Sequence, residues 1–305
     1  MRHLLLLILT LFSAAFSFAQ DDAPEADTFL WKINKSGRPD SYLLGTVHLG
    51  KTNTALPAAY RRVLRQTAQL VVESDADALT NAQTRQLMLL MYDTRPLTQT
   101  LGETRLRTLQ GVLQQGGDAI TLNPELKLKP WALWLNIESQ FYPNGYSYRF
   151  GIDNLLIQTA KQQKKPVIAL ESVEPLYYFN ALPEAAVLRA LDSFAQHHQD
   201  FLNDSQTLFD DYRHQRAKKI WADISNPDKQ LQYLPPQDRA LWQTLMYQKL
   251  LTERNQRWLP RLIDILPQRP TLIAVGAAHL FGGQGLIRRL RQVGYRVEAV
   301  KVAPF

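Results

Sequence analysis

Two segments of this chain follow one plan, and the repetition narrows the folds open to it. YLLGTVHLG at residues 42–50 and LIAVGAAHLFG at residues 272–282 each set Gly-x-x-His-Leu directly behind a short apolar run. A short apolar run bounded by turn residues is a buried strand. Glycine lets the backbone leave that strand where a β-carbon would crowd a neighbour. Each motif then leads through a turn into an amphipathic helix and a returning strand. That unit requires an α/β fold, a central mixed sheet built from two similar βαβ halves with helical insertions between them. Ligand sites in such sheets gather outside the carboxyl ends of the strands, so His48 and His279 are expected to face one crevice.

The remaining segments fit this plan. TFLWKIN and SYLLGTVH are β-prone, and the intervening KSGRPD has turn chemistry, so they predict a hairpin. LPAAYRRVLRQTA has helical spacing and is followed by the short strand QLVVESD. Residues 79–150 read as helices with breaks: Thr80 suits an N-cap, Pro130 suits a first turn, and TLGETRLRTLQGVLQQGG ends in a glycine pair. The aromatic stretch FYPNGYSYRFG reads as a loop. GIDNLLIQTAKQQKKPVIALES predicts a second crossover, a helix followed by the strand PVIALE. Residues 175–267 read as helical again.

The N-terminus carries its own signal. Arg2, an apolar run from Leu4 to Phe12 and a small-x-small end at Ser17-Phe18-Ala19 describe a secretory signal peptide over residues 1–19. The run is short for a membrane span. An acidic, flexible leader is expected over 20–27 and a single domain over 28–305. Export places the chain in the periplasm or outside the cell. The chain has no cysteine, which excludes disulfides, thiolate nucleophiles, thiolate metal ligands and lipoprotein anchoring. A metal would have to be held by His, Asp, Glu or carbonyl oxygen.

The net charge of +7 is spread along the chain without a run of aromatic platforms, so a nucleic-acid groove is not expected. The expected partners are a peptide or small-molecule substrate, with no stable membrane insertion after signal cleavage. There is no Gly-x-Ser-x-Gly elbow. GGQG at 282–285 lacks the lysine and hydroxyl of a phosphate loop. His197, His198 and His214 lie among Gln and Asp and read as solvated surface.

Glu73 closes one strand and Glu171 another, at positions matching the two histidines. One histidine behind a strand is ordinarily a hydrogen-bonded loop residue. Two in matched motifs, with carboxylates at matched strand ends, form a common divalent-metal set with a carboxylate to spare. Taken singly, each glutamate could instead cap a helix or join a salt bridge. Glu253, Arg254 and Asn255 crowd polar groups into an otherwise amphipathic helix, as a surface salt bridge would.

YLLGTVHLG, LVVESD, GIDNLLIQTAKQQKKPVIALES, ERNQRW and LIAVGAAHLFGGQGLIRRLRQVGYRV occur in the order found in the TraB/GumN family, which the chain resembles over nearly its whole mature length. The family includes Tiki proteins, described as metal-dependent proteases, and is distantly similar to erythromycin esterases and ChaN-like haem-binding proteins. The resemblance implies an exported metal-dependent hydrolase, a peptidase in the first instance. His48, His279 and Glu73 would hold a divalent ion (Mn, Co or Zn), with Glu73 as ligand or general base. Glu171 and Asp153 would orient the histidines, and Arg254 would polarise substrate beside Asn255. Two other readings stay open: a metal-independent hydrolase using one histidine as base, and a non-enzymatic protein binding haem or another small ligand.

Overall fold

The computed structural model describes residues 23–117 and 120–305, without the side chain of Ala76. The expected signal peptide lies outside these residues. The described end of the leader is held in place: Glu25 pairs with Arg291, and Asp27 accepts the Lys218 backbone N–H at 2.9 Å.

Among the described residues eight strands form two sheets: β1 (Leu30–Asn34), β2 (Ser41–Thr46), β3 (Gly50–Lys51), β4 (Gln69–Val72), β5 (Tyr146–Ser147), β6 (Val167–Ala169), β7 (Thr271–Gly276) and β8 (Arg296–Ala299). Six of them make the main sheet in the order β6-β4-β7-β2-β1-β8, and β3 pairs with β5 apart from it. β4 and β7 are buried at every residue, as continuous apolar runs are when both faces of a parallel sheet are covered. β6, β4, β7 and β2 run parallel. β1 opposes both β2 and β8, so it alone runs against the others. The chain passes from β2 through α1 (Ala58–Gln66) to β4, and from β7 through α13 (Leu286–Gln292) to β8. Both crossovers skip strands of the sheet, so the two Gly-x-x-His strands, β2 and β7, become neighbours.

The helices between are α2 (Asn81–Met91), α3 (Leu97–Leu101), α4 (Glu103–Leu113), α5 (Pro130–Gln140), α6 (Ile152–Gln162), α7 (Glu174–Asn180), α8 (Glu184–Arg213), α9 (Ala217–Ile224), α10 (Pro227–Gln230), α11 (Arg239–Gln243) and α12 (Arg254–Ile265). A π-helical segment, Thr244–Glu253, leads into α12. Thr80 and Gln83 form the capping box at the start of α2, and Pro130 opens α5. The stretch expected as one helix around residue 102 splits into α3 and α4. Gly102 sits at φ 77°, outside helical space.

Two apolar cores result. One joins the sheet to α1, α6, α9, α12 and α13, with Trp31, Tyr60, Trp258 and Leu280 in it. The other lies among the inserted helices, around Leu109, Trp134, Phe179 and Trp242. The histidines expected on the surface are placed unevenly. His214 is exposed, but His197 stacks on Tyr233 and His198 hydrogen-bonds Gln115.

Candidate active site

The parallel strands end in register. Thr46 lies beside Gly276, and Val72 lies between Ala169 and Ala274. Pairing continues one step further, with the Glu171 N–H donating to the Glu73 carbonyl at 2.9 Å. Glu171, Glu73, His279 and His48 are therefore delivered to one edge of the sheet, in strand order. The sequence pattern predicted this convergence.

The roles separate once the side chains are followed. His48 and His279 line a single cavity of about 230 Å³; Glu73, Glu171, Asp153, Arg254 and Asn255 lie behind it. His48 Nδ1 is 2.7 Å from Asp153 Oδ2. A carboxylate only accepts, so Nδ1 carries the proton, and in the neutral imidazole Nε2 keeps its lone pair. Nε2 is buried and has no partner among the described residues. Burial lowers the His48 pKa, but the charge and hydrogen bond of Asp153, with Glu73 beyond, outweigh it and hold the pKa above the usual value. The pairing is built into the backbone. The Ile152 N–H, at the start of α6, donates to the Val47 carbonyl at 2.9 Å, and the Tyr212 hydroxyl from α8 donates to the Gly45 carbonyl at 2.7 Å. Gly151 stands against this turn, where a β-carbon would lie 2.1 Å from the His48 carbonyl oxygen.

His279 is fully buried in the short helical turn Ala277–His279 that follows β7. Its Nδ1 is 2.7 Å from Asn255 Oδ1. The Asn255 amide nitrogen donates to the carbonyls of His279 and Gln284, which fixes the amide orientation and makes its oxygen the acceptor. His279 Nδ1 therefore holds the proton, and Nε2 accepts from Arg254 Nη1 at 3.2 Å. Burial, then the charges of Arg254 and His48, hold the His279 pKa well below the ordinary range. It is a neutral imidazole.

Arg254 is the hub of the layer behind the cavity. It is 1% exposed. Its Nη2 donates to Glu73 Oε2 at 2.5 Å and to Glu171, and its Nε reaches Glu171 Oε1 at 2.8 Å. Glu73 Oε1 accepts the Gly276 N–H at 2.5 Å, and the Trp258 indole donates to Glu171 Oε2 at 3.1 Å. Burial raises the Glu73 pKa, with Arg254 opposing it. Arg254 and Asn255 thus form a buried polar network, where the sequence also admitted a surface salt bridge. Glu171, expected to orient a histidine, binds Arg254 and Trp258.

Two residues that sequence reasoning passed over belong to the cavity or its support. Thr46 lines the cavity beside His48, and its hydroxyl is buried without a described partner. Its place inside a Gly-x-x-His motif was the available signal. Trp258 packs its ring 4.4 Å from that of His279 and lies under the Arg254 guanidinium.

A divalent ion needs three converging donors with free lone pairs. His48 Nε2 supplies one, His279 Nε2 accepts from Arg254, and Glu73 is already paired with the Arg254 guanidinium, whose charge repels a cation. Among the described residues no group of three or more His, Asp or Glu is disposed to hold a metal ion. In this arrangement the expected set of His48, His279 and Glu73 does not fit one.

Uncharacterized protein YbaP of Shigella flexneri is 28% identical over 85% of this chain and 90% of its own length. Metalloprotease TIKI2 of Danio rerio is 27% identical over 90% of this chain, and Metalloprotease TIKI1 of Homo sapiens is 25% identical over the same share. The matches span only 61% and 62% of those two proteins. The profile of the TraB/PrgY/gumN family matches residues 29–299, both Gly-x-x-His motifs included, and the chain belongs to that family.

Proposed function

We propose that the protein is a hydrolase of peptide or other acyl bonds in which His48 is the general base. The observation that carries this reading is His48, which lines the cavity and whose buried Nε2 has no partner among the described residues, with Nδ1–H held by a buried carboxylate. That is the arrangement of an oriented base. His48 Nε2 takes a proton from water as the oxygen attacks the carbonyl carbon, and Asp153 stabilises the imidazolium that forms. The imidazolium then returns the proton to the leaving group. The buried Thr46 hydroxyl, on a cavity-lining residue beside His48 and without a partner among the described residues, is the candidate hydrogen-bond donor to the developing oxyanion. The signal-like residues 1–19 support action outside the cytoplasm.

The test is turnover of a peptide library by wild type, His48→Ala and Asp153→Asn. Both variants should lose roughly 10²–10⁴-fold in kcat while keeping their circular dichroism. Full activity in His48→Ala would overturn the assignment. The names of the TIKI relatives favour a second reading, metal-dependent hydrolysis. It requires the polar layer to rearrange. Elemental analysis of chelator-free protein, with activity measured in EDTA and in added Mn²⁺, Co²⁺ or Zn²⁺, separates the two.

A further inference from the structure

The cavity does not stop at His48 and Thr46. It continues away from the sheet edge between α5, α8, α9 and the π-helical segment, where Phe194, Phe209, Ile220, Ile224, Met246 and Leu250 line it. Its volume, about 230 Å³, exceeds the ~150 Å³ of an apolar cavity that holds a benzene ring. Water gains little in a space walled this way, and an apolar group entering it is driven by burial. Glu138 on α5 also lines the cavity, its carboxyl hydrogen-bonded by the side chain of Trp134.

We propose that this arm of the cavity is the subsite for a Phe- or Leu-sized apolar side chain next to the scissile carbonyl, and that Glu138 hydrogen-bonds the substrate backbone beside it. The proposal rests on the hydrolase reading. Continuity supports it: one cavity holds both the base and the apolar wall, so a group seated in the wall places its neighbouring carbonyl near His48. Glu138 is suited to an apolar site because burial pushes its pKa up to about 8, with the Trp134 hydrogen bond opposing. In its uncharged form it can donate a hydrogen bond to a carbonyl.

Other titratable groups line the cavity as well, Asp204 among them with its pKa raised by burial. His48 and His279 stand at the strand ends, Tyr148 and Tyr233 on its sides, and Asp204 and Asp211 on α8, with Asp223 on α9 and Lys229 on α10. Asp211 is paired with Arg216 and Lys219, and Asp223 with Lys229.

Calorimetric binding of acetyl-Gly-Phe-Gly-amide and acetyl-Gly-Ala-Gly-amide to the full chain tests the subsite without needing turnover. The Phe peptide should bind at least about tenfold more tightly, the order expected for burying a ring. Ile224→Trp, which fills the arm, should erase the difference. Raising the pH from 7 to 9 should weaken Phe-peptide binding several-fold in wild type and leave Glu138→Gln unchanged. Equal affinity for the two peptides overturns the subsite, and this comparison stands even if Ile224→Trp does not fold. An identical pH response in Glu138→Gln overturns the part given to Glu138. Tight binding without cleavage would sink the hydrolase reading and leave the subsite standing; cleavage indifferent to Phe would do the reverse.

Discussion

At the scale of single residues, the two histidines share a motif and are opposites in chemistry. Asp153 makes His48 more basic; Arg254, with burial, keeps His279 neutral. The pH profile should report the difference. A base acts only when deprotonated, and the His48 pKa lies above the usual 6.5. kcat/KM should therefore rise with pH through a value above 6.5 and be low in acid. Asp153→Asn removes the charge that raises this pKa, so its remaining activity should have an acid limb shifted to lower pH. An unshifted limb would assign the titration to another group. Arg254 is the other decisive residue. Arg254→Met leaves Glu73 and Glu171 buried without their counter-charge and should cost about 3–5 kcal/mol in urea unfolding at neutral pH. The loss should shrink at pH 5, because burial already raises the Glu73 pKa and removing Arg254 raises it further, so the carboxyl protonates. Lysine should not restore the loss, for one ammonium cannot reproduce a fork that serves two carboxylates and an imidazole.

Among the elements, the turn after β2 and the first turn of α6 act as one piece. The Val47 carbonyl accepts from Ile152, and Gly151 lies against the His48 backbone. Side-chain bulk at residue 151 must push the His48 carbonyl away from Asp153. Gly151→Ala should then lower kcat by about 10²-fold, the order associated with a displacement near 1 Å, in a protein that still folds. Wild-type kinetics in that variant would show that the turn yields without moving His48. The π-helical segment matters for a related reason: it sets the rotation at which α12 presents Arg254 and Asn255 to the strand ends. Its wider winding is typical of functional sites.

For the whole molecule, the relation between the two cores is central. The sheet core carries the base and its polar layer; the helical core supplies much of the apolar wall of the cavity. Trp242, 1% exposed, packs 5.6 Å from Trp134 within the helical core. Trp242→Ala should cost about 3–5 kcal/mol. The loss should appear in hydrogen exchange as faster opening of α5, α8 and the π-helical segment, with the strands β2, β4 and β7 still protected. Uniform loss of protection would mean that the two cores unfold as one unit.

The apolar runs, the glycines behind them and the helical spacing between were enough to read a mixed α/β sheet with two histidines and two glutamates at matching strand ends. These are local patterns, and strand periodicity and turn chemistry are written residue by residue. The partners were not legible, because each joins segments far apart in the chain: His48 with Asp153, His279 with Asn255, Arg254 with Glu73 and Glu171. Matched positions suggested that the four strand-end residues would share one site, with His48, His279 and Glu73 holding one ion and Glu171 orienting the histidines. Packing instead inserted a buried guanidinium among three of them and left one imidazole nitrogen, on the cavity-lining His48, without a described partner. The polarity of Arg254 was visible in the sequence; its burial was not, because that depends on two carboxylates brought to it by other strands.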